Sequence, residues 1–482
     1  MLTRTSTQSL TGQLADRLAE RIRTRLLPPG ARLPSVRECA RQQGVSPYTV
    51  VAAYDQLLAQ GLVEARRQRG FYVRDSAQQM QDGRSGKAPD AVGVSDMPAA
   101  MAVQMMASRV PADASSLIRS MFHRPSDKPQ PGMGVFPPDW MSSTFIPTAV
   151  RRMTSTAVLQ ELSLQYGEPS GDMSLRRSLS QKLVGINVPA APDQIITTIG
   201  ATHALDIVSR TLLRPGDPVM VEEPGWALEF ARLEALGMRI LPVPRRADGP
   251  DLEVMAQYCV LHKPKLFVSV SVLHNPTGYS LTPGSAHRVL KLANEHDFHI
   301  VEDDTYSHLA PEHATRLSAL DGLQRTVYVS GFAKIIAPNW RIGFLAASPA
   351  LKERLLETKL LATLTSPTLF ERALSWCIDQ GQLRRHADRI RIRLDGARGR
   401  AVKLAMSHGC TFASEPAGLF GWVDTGVDTD ALTQRMLDQG YLLAPGSLFH
   451  ARRPPSTMMR INFATSQDAT FWKVFSKVRS EL

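Results

Sequence analysis

A lone lysine, Lys334, sits in the apolar and small-residue run SGFAKIIAPNWRIGF, and Arg341 follows seven positions later. Taken alone, a lysine in an apolar run is a snorkelling surface residue, but its amine can also form a Schiff base with a carbonyl. Other chemistry-bearing residues each follow a short apolar run: Gly200-Ala201-Thr202, then Trp226, then Asn275 in HNPTG, then Asp303 with Tyr306 three positions on. Taken singly they read as ordinary structure, namely a strand-to-helix turn, a core aromatic, a tight turn and a helix cap. Taken together they supply an amine, a guanidinium, a carboxylate, a phenol, an amide and an aromatic face. They also supply a glycine turn opening a helix, whose N–H groups suit a phosphate.

Pyridoxal 5'-phosphate needs that set. Its aldehyde needs an amine, its ring nitrogen a carboxylate, its phenolic oxygen hydrogen-bond donors, its ring a stacking face, and its phosphate N–H groups with a cation. Lys334 is then the covalent anchor and Arg341 the phosphate clamp.

The elements that must position these groups are legible as a pattern. PDQIITTIG, DPVMVEEP, KLFVSVSVLHNPTG, FHIVEDDTY and TVYVSGF are Val/Ile-rich runs with helix-like stretches between them. This alternation predicts an α/β domain, a mostly parallel sheet with helices on both faces. Ligands in such folds sit beyond the carboxyl ends of the strands, where these groups fall.

The first 75 residues read as a different unit. They hold 12 Arg, no Lys and 6 acidic residues, a net +6 of the chain's +11. Leu10, Leu14, Leu18, Ile22 and Leu26 form one helical stripe that stops at PPG, residues 28–30. Ser35 and Glu38 have capping-box spacing for a second helix that Gly44 ends. Ser46 caps a third, with Pro47 at its first position and Gly61 at its stop. LVEARRQRGFYVRD reads as strand, basic turn, strand. The order is a winged helix-turn-helix for double-stranded DNA, with Arg66, Arg67 and Arg69 on the backbone and Arg37, Ser46, Tyr48 and Thr49 near the groove. Residues 76–115, rich in Ala, Gln, Ser, Gly and Met, read as a flexible linker with room for a short helix near 97–110.

Composition bounds the rest. Cys39, Cys259, Cys377 and Cys410 form no CxxC pair, which argues against a zinc site or a disulfide framework and fits a reducing cytosol. No 18-residue apolar run predicts a membrane span, and the N-terminus lacks a secretion-signal core, so the expected location is cytoplasmic.

Residues 27–73 resemble the winged helix of GntR-type bacterial regulators. Residues from about 130 to 482 resemble a fold-type I aminotransferase domain, through YGEPSGDMSLR, GATHAL, EEPGW, HNPTG, DDTY, SGFAKIIAPNWRIGF and RINFA. The combination resembles the MocR (GabR-like) branch of the GntR regulators. The domains expected are 1–75, the linker 76–115, and 116–482 with a small subdomain from about 360.

The resemblance implies that Trp226 stacks on the cofactor ring, that Asn275 and Tyr306 bond its phenolic oxygen, and that Asp303 pairs with its ring nitrogen. It implies that Arg460 holds an effector's or substrate's α-carboxylate, and that Tyr166 reaches the phosphate of a neighbouring subunit. That in turn implies a homodimer, with domain swapping as one arrangement. Two departures stand out. Pro47 replaces an arginine of the DNA-binding pattern, and Gly331 and Ala333 replace hydroxyl residues near the lysine, with Ser330 as a displaced substitute. Each lost hydroxyl costs about 1 kcal/mol of phosphate binding. The implied function is transcription control in which pyridoxal phosphate, or its adduct with an amino compound, alters DNA binding. The alternative is a working aminotransferase with a vestigial head; weak or no amino transfer is expected.

Overall fold

Strand alternation decides how the large sheet is covered. Val219 and Val221 join Leu266, Val268, Val301 and Val327 in one apolar cluster, while Met220, Phe267 and Ile300 point into another. Both faces of these strands are therefore dry, which is why they read as unbroken apolar runs and require helices above and below.

The computed structural model describes residues 9–23, 27, 29–66, 70–74, 126–336 and 338–482. The sheet has eight strands in the order β3 (Ile195–Thr198), β10 (Gly343–Ala346), β9 (Thr326–Gly331), β8 (His299–Asp303), β7 (Leu266–Ser269), β4 (Pro218–Glu223), β5 (Arg239–Arg246) and β6 (Gly249–Pro250). From β5 through β4, β7 and β8 to β9 every pairing is parallel. β10 runs antiparallel to both β9 and β3, and β6 antiparallel to β5. The expected mostly parallel sheet is present. A second, four-stranded antiparallel sheet follows, in the order β11 (Thr411–Phe412), β12 (Phe420–Asp424), β14 (Met458–Asn462) and β13 (Ala444–Pro445).

The chain divides into two compact units. One comprises residues 129–429 and 443–481; the other comprises the residues up to 128 together with 430–442 and Leu482. The expected linker lies outside the described residues.

The N-terminal helices are α1 (Leu10–Arg23), α2 (Val36–Gln43) and α3 (Pro47–Ala59), followed by a hairpin of β1 (Val63–Arg66) and β2 (Gly70–Val73). The caps are where the sequence places them. Ser35 Oγ accepts from Glu38 N at 3.3 Å, Ser46 Oγ accepts from Thr49 N at 3.1 Å, and Gly44 ends α2 with φ +65°. Leu14, Leu18 and Ile22 of the α1 stripe are buried with Val50, Leu57, Val63 and Val73. Tyr54 ties the helix pair to the loop before it, its hydroxyl donating to Pro34 O at 2.8 Å and its ring packing edge-on to Phe71.

Tyr54→Phe strands that carbonyl and should lower the stability of this unit by about 1 kcal/mol. Calorimetry of the full chain checks it: the unit's transition moves down while the larger unit's transition stays. An unmoved transition would mean that the hydroxyl bond carries no net stability.

Candidate functional site

The lysine is placed by a single helical turn. Beyond β9, Phe332 N donates to Ile342 O at 3.1 Å, and Phe332 O accepts from Ile335 N at 3.0 Å and from Ile336 N at 2.9 Å. Ile335 and Ile336 are fully buried, which anchors the turn that carries Lys334. Its Nζ donates to Gly134 O at 2.8 Å. Burial, then the nearby Arg460 charge, pulls its pKa down to about 8.

Arg460, on β14, is 1 % exposed and sits among three rings, 4.4 Å from the Phe420 centroid, 5.2 Å from Phe449 and 5.4 Å from Trp226. Its Nη1 donates to Asn275 Oδ1 at 3.0 Å and its Nη2 to Gly132 O at 2.6 Å. Its Nε is buried with no hydrogen-bond partner among the described residues. A buried cation held only by neutral acceptors lacks a counter-charge, which suits a site for a carboxylate. Burial brings its pKa down to about 10.

Asp303 ends β8 and shares a cleft with Trp226, His274 and Glu229. Its carboxylate accepts from Thr305 N at 3.0 Å and from the Thr305 hydroxyl. Burial nevertheless raises its pKa to about 6. In the same cleft, Glu222 is pinned by Val270 N at 2.8 Å and by Arg245, and His274 is held neutral by burial. Tyr306 lies edge-on to Phe420, 5.6 Å between centroids, and burial raises its pKa.

Gly200 opens the helix Ala201–Leu212 with φ +81°. A Cβ there would come within 2.4 Å of Arg341 Nη2, so only glycine lets the guanidinium lie against this helix end. Arg341 Nη2 also donates to Ile199 O at 3.1 Å. Gly343 and Gly331 close the cradle: a Cβ on Gly343 would meet Ala201 N at 2.6 Å, and one on Gly331 would meet it at 3.3 Å. Backbone N–H groups of 201 and 202 and one cation therefore converge at a helix N-terminus, an anion site by construction.

Residues 133–477 match the family Aminotransferase class I and II. The chain belongs to that aminotransferase family. Residues 10–73 match a second family, the gntR family of bacterial regulatory proteins. The HTH-type transcriptional regulator YdcR of Escherichia coli K12 is 28% identical over 462 residues, 94% of each chain. The probable rhizopine catabolism regulatory protein MocR of Rhizobium meliloti is 27% identical over 477 residues, 97% of this chain and 92% of the relative. Kynurenine aminotransferase of Pyrococcus horikoshii superposes with a TM-score of 0.69 at 25% identity, over 78% of this chain and 96% of that one. The chain is thus a gntR-type winged helix fused to a fold-type I aminotransferase domain, as in the MocR-like regulators.

Pyridoxal 5'-phosphate is the cofactor of that aminotransferase fold, and the residues present fit it: a glycine cradle no Cβ can share, a desolvated amine and a burdened carboxylate. The structure brings Lys334, Asp303, Trp226, Asn275, Tyr306 and Arg460 to one region, with Arg341 at the Gly200 cradle.

Ser330 is a correction. Its hydroxyl donates to Asp304 O at 2.9 Å, so it is already committed and does not replace the hydroxyl missing at Gly331. Tyr166 is 84 % exposed and lines a different cavity, with Glu168 and Arg372. The segment Gly132–Val135 went unread, although it supplies carbonyls to Lys334, Arg460 and Asn462. The paired glycines of PGMG were the available signal.

On the winged helix, Tyr48 is 82 % exposed and Arg37 is exposed. Thr49 and Ser46 share hydroxyls at 2.8 Å in the cap. Arg66 is engaged within the wing, by Glu64 at 2.7 Å and over the Tyr72 ring at 4.5 Å. Arg67 and Arg69 lie outside the described residues.

Two outcomes follow from the shifted groups. A carboxyl whose folded pKa exceeds its unfolded value costs stability once ionised, so cofactor-free protein should weaken as pH rises from about 4 to 6. Asp303→Asn should therefore stabilise the cofactor-free protein at pH 8, by at most about 3 kcal/mol, while weakening cofactor binding; urea unfolding that shows a loss instead would remove the carboxylate from this role. Borohydride-trapped capture of pyridoxal phosphate should rise with pH around a midpoint near 8, and Arg460→Met should move that midpoint up. A midpoint unchanged in the variant would show that Arg460 does not act on the amine.

Proposed function

We propose that the chain is a transcription regulator whose winged helix binds operator DNA and whose aminotransferase domain holds pyridoxal phosphate as a sensor. The observation that carries this is the completeness of both parts in one chain: capped helices with an exposed Tyr48 and Arg37, and a desolvated lysine facing a carboxylate and a phosphate cradle.

Lys334 would anchor the cofactor and Asp303 would keep its ring nitrogen protonated. Asn275 and Tyr306 would bond its phenolic oxygen, Trp226 would cover its ring, and Ala201 and Thr202 with Arg341 would hold its phosphate. Bound there, the ring draws electrons from an attached amine carbon. Arg460, among its aromatic rings, would fix an amino compound by its carboxylate, the second interaction an effector needs. An effector shifts DNA binding only by favouring one arrangement of the protein over another. Exposed Tyr166 supports a homodimer in which this residue serves the other subunit's phosphate. No helix among the described residues is long and apolar enough to cross a membrane.

A second reading, amino transfer to a keto acid, is favoured by Arg460 and Asn275 lying hydrogen-bonded beside the lysine. One paired measurement separates the two. Gel shift on the DNA upstream of the gene should show specific binding that falls steeply with salt, as phosphate contacts demand, while amino transfer stays negligible. Lys334→Ala should abolish the visible absorbance of the loaded protein and leave the head able to bind DNA. Robust transfer with no specific shift would reverse the assignment.

A further inference from the structure

The loop YGEPSGD, residues 166–172, has an exposed tip and a buried root. Tyr166 at the tip faces solvent, while Ser170 and Asp172 are buried. The root is gripped by charged side chains that do not line the cleft of Asp303 and Trp226.

Lys359, on the helix Pro349–Thr363, is fully buried, and its Nζ donates to Pro169 O at 2.6 Å. Glu371, on the helix Thr368–Asp379, is 2 % exposed and accepts from Asp172 N at 2.7 Å. Arg176 Nε donates to Gly171 O at 3.0 Å, and Arg372 Nε to Asp172 Oδ2 at 2.9 Å. Thr197 N, on β3, donates to Ser170 O at 3.0 Å. A Cβ on Gly171 would overlap the Thr197 side chain, and one on Gly167 would overlap the Thr368 hydroxyl, so the loop lies hard against its supports.

Burial makes this grip costly. It brings the Lys359 pKa down to about 8 and raises that of Glu371, and the opposite charges offset only part of this. Apolar side chains of the same volume often serve stability as well as buried charges do. An ammonium and a carboxylate aimed at the backbone supply something apolar groups cannot, a fixed place for one carbonyl and one N–H. The supports also set the loop in register with the subunit's own anion cradle, because β3 runs from Thr197 towards Gly200.

We infer that Lys359 and Glu371 are positioning residues, which fix the loop root so that Tyr166 projects in the orientation that lets its hydroxyl reach a phosphate on the neighbouring subunit. The inference rests on the homodimer reading of Tyr166 and adds the groups that aim it.

Pyridoxal phosphate, and pyridoxal without the phosphate, are each titrated into cofactor-free full-length protein, and dissociation constants are read from absorbance. Tyr166→Phe, Lys359→Met and Glu371→Leu should each weaken pyridoxal phosphate about tenfold, as loss of a hydrogen bond to a charged group does, and leave pyridoxal unchanged. Glu371→Gln keeps an acceptor for Asp172 N and should stay near wild type. Lys359→Met added to Tyr166→Phe should weaken binding no further, since both act through one contact. If Tyr166→Phe leaves pyridoxal phosphate affinity unchanged, the shared-phosphate reading falls and this inference with it. If Tyr166→Phe weakens binding but Lys359→Met and Glu371→Leu do not, or their effects add to it, this inference alone is overturned. An equal loss of pyridoxal affinity in those two variants would show general support of the fold and overturn it as well.

Discussion

Two cations hydrogen-bonded to main-chain carbonyls rather than to acids are the constraint on which the larger unit turns. Lys334 and Arg460 each lean on a main-chain carbonyl of the same short segment, Gly134 and Gly132. Moving a lysine pKa from 10.5 to about 8 corresponds to roughly 3 kcal/mol against its charged form. The surrounding fold must hold that cost, and it does so by fixing the acceptors. Asn462 Nδ2 bonds the carbonyls of Met133 and Val135, which keeps the neighbouring carbonyls aimed at the two cations.

The same logic orders the strand ends. β8 delivers Asp303, β9 leads to Lys334, β10 follows Arg341, and β3 leads to Gly200, all at one end of contiguous strands. Their interiors are apolar on both faces, so the end residues are free to be polar. A buried ion pair and buried hydrogen bonds brace the wall behind them, with Asp304 held by Arg316 and by the Tyr328 hydroxyl at 2.9 Å, and Glu302 accepting from Leu317 N at 2.7 Å and Ser318 N at 2.8 Å. None of these groups can lose its partner cheaply, which keeps the segment carrying Asp303 and Tyr306 in one position.

Much of this was legible because its signals are local. Caps, glycine turns and Val/Ile runs announce themselves within a few residues, and Ser35, Ser46, Gly44 and Gly200 took up the positions expected. What escaped notice was long-range. Nothing near residue 134 says that its carbonyl meets a lysine 200 positions away. Ser330 misled for a related reason: its type suits a phosphate, but its hydroxyl is used by a carbonyl that only the fold brings close.

The Gly331 position carries a last consequence. A Cβ there would crowd Ala201 N at 3.3 Å, and Ala333 offers no hydroxyl, so main-chain N–H groups and the solvent-facing Arg341 are left as the grip on the phosphate end. Each hydroxyl absent from that rim takes about 1 kcal/mol from the grip on a phosphate, so the backbone geometry around Gly200 and Gly343 carries more of the burden than side chains do.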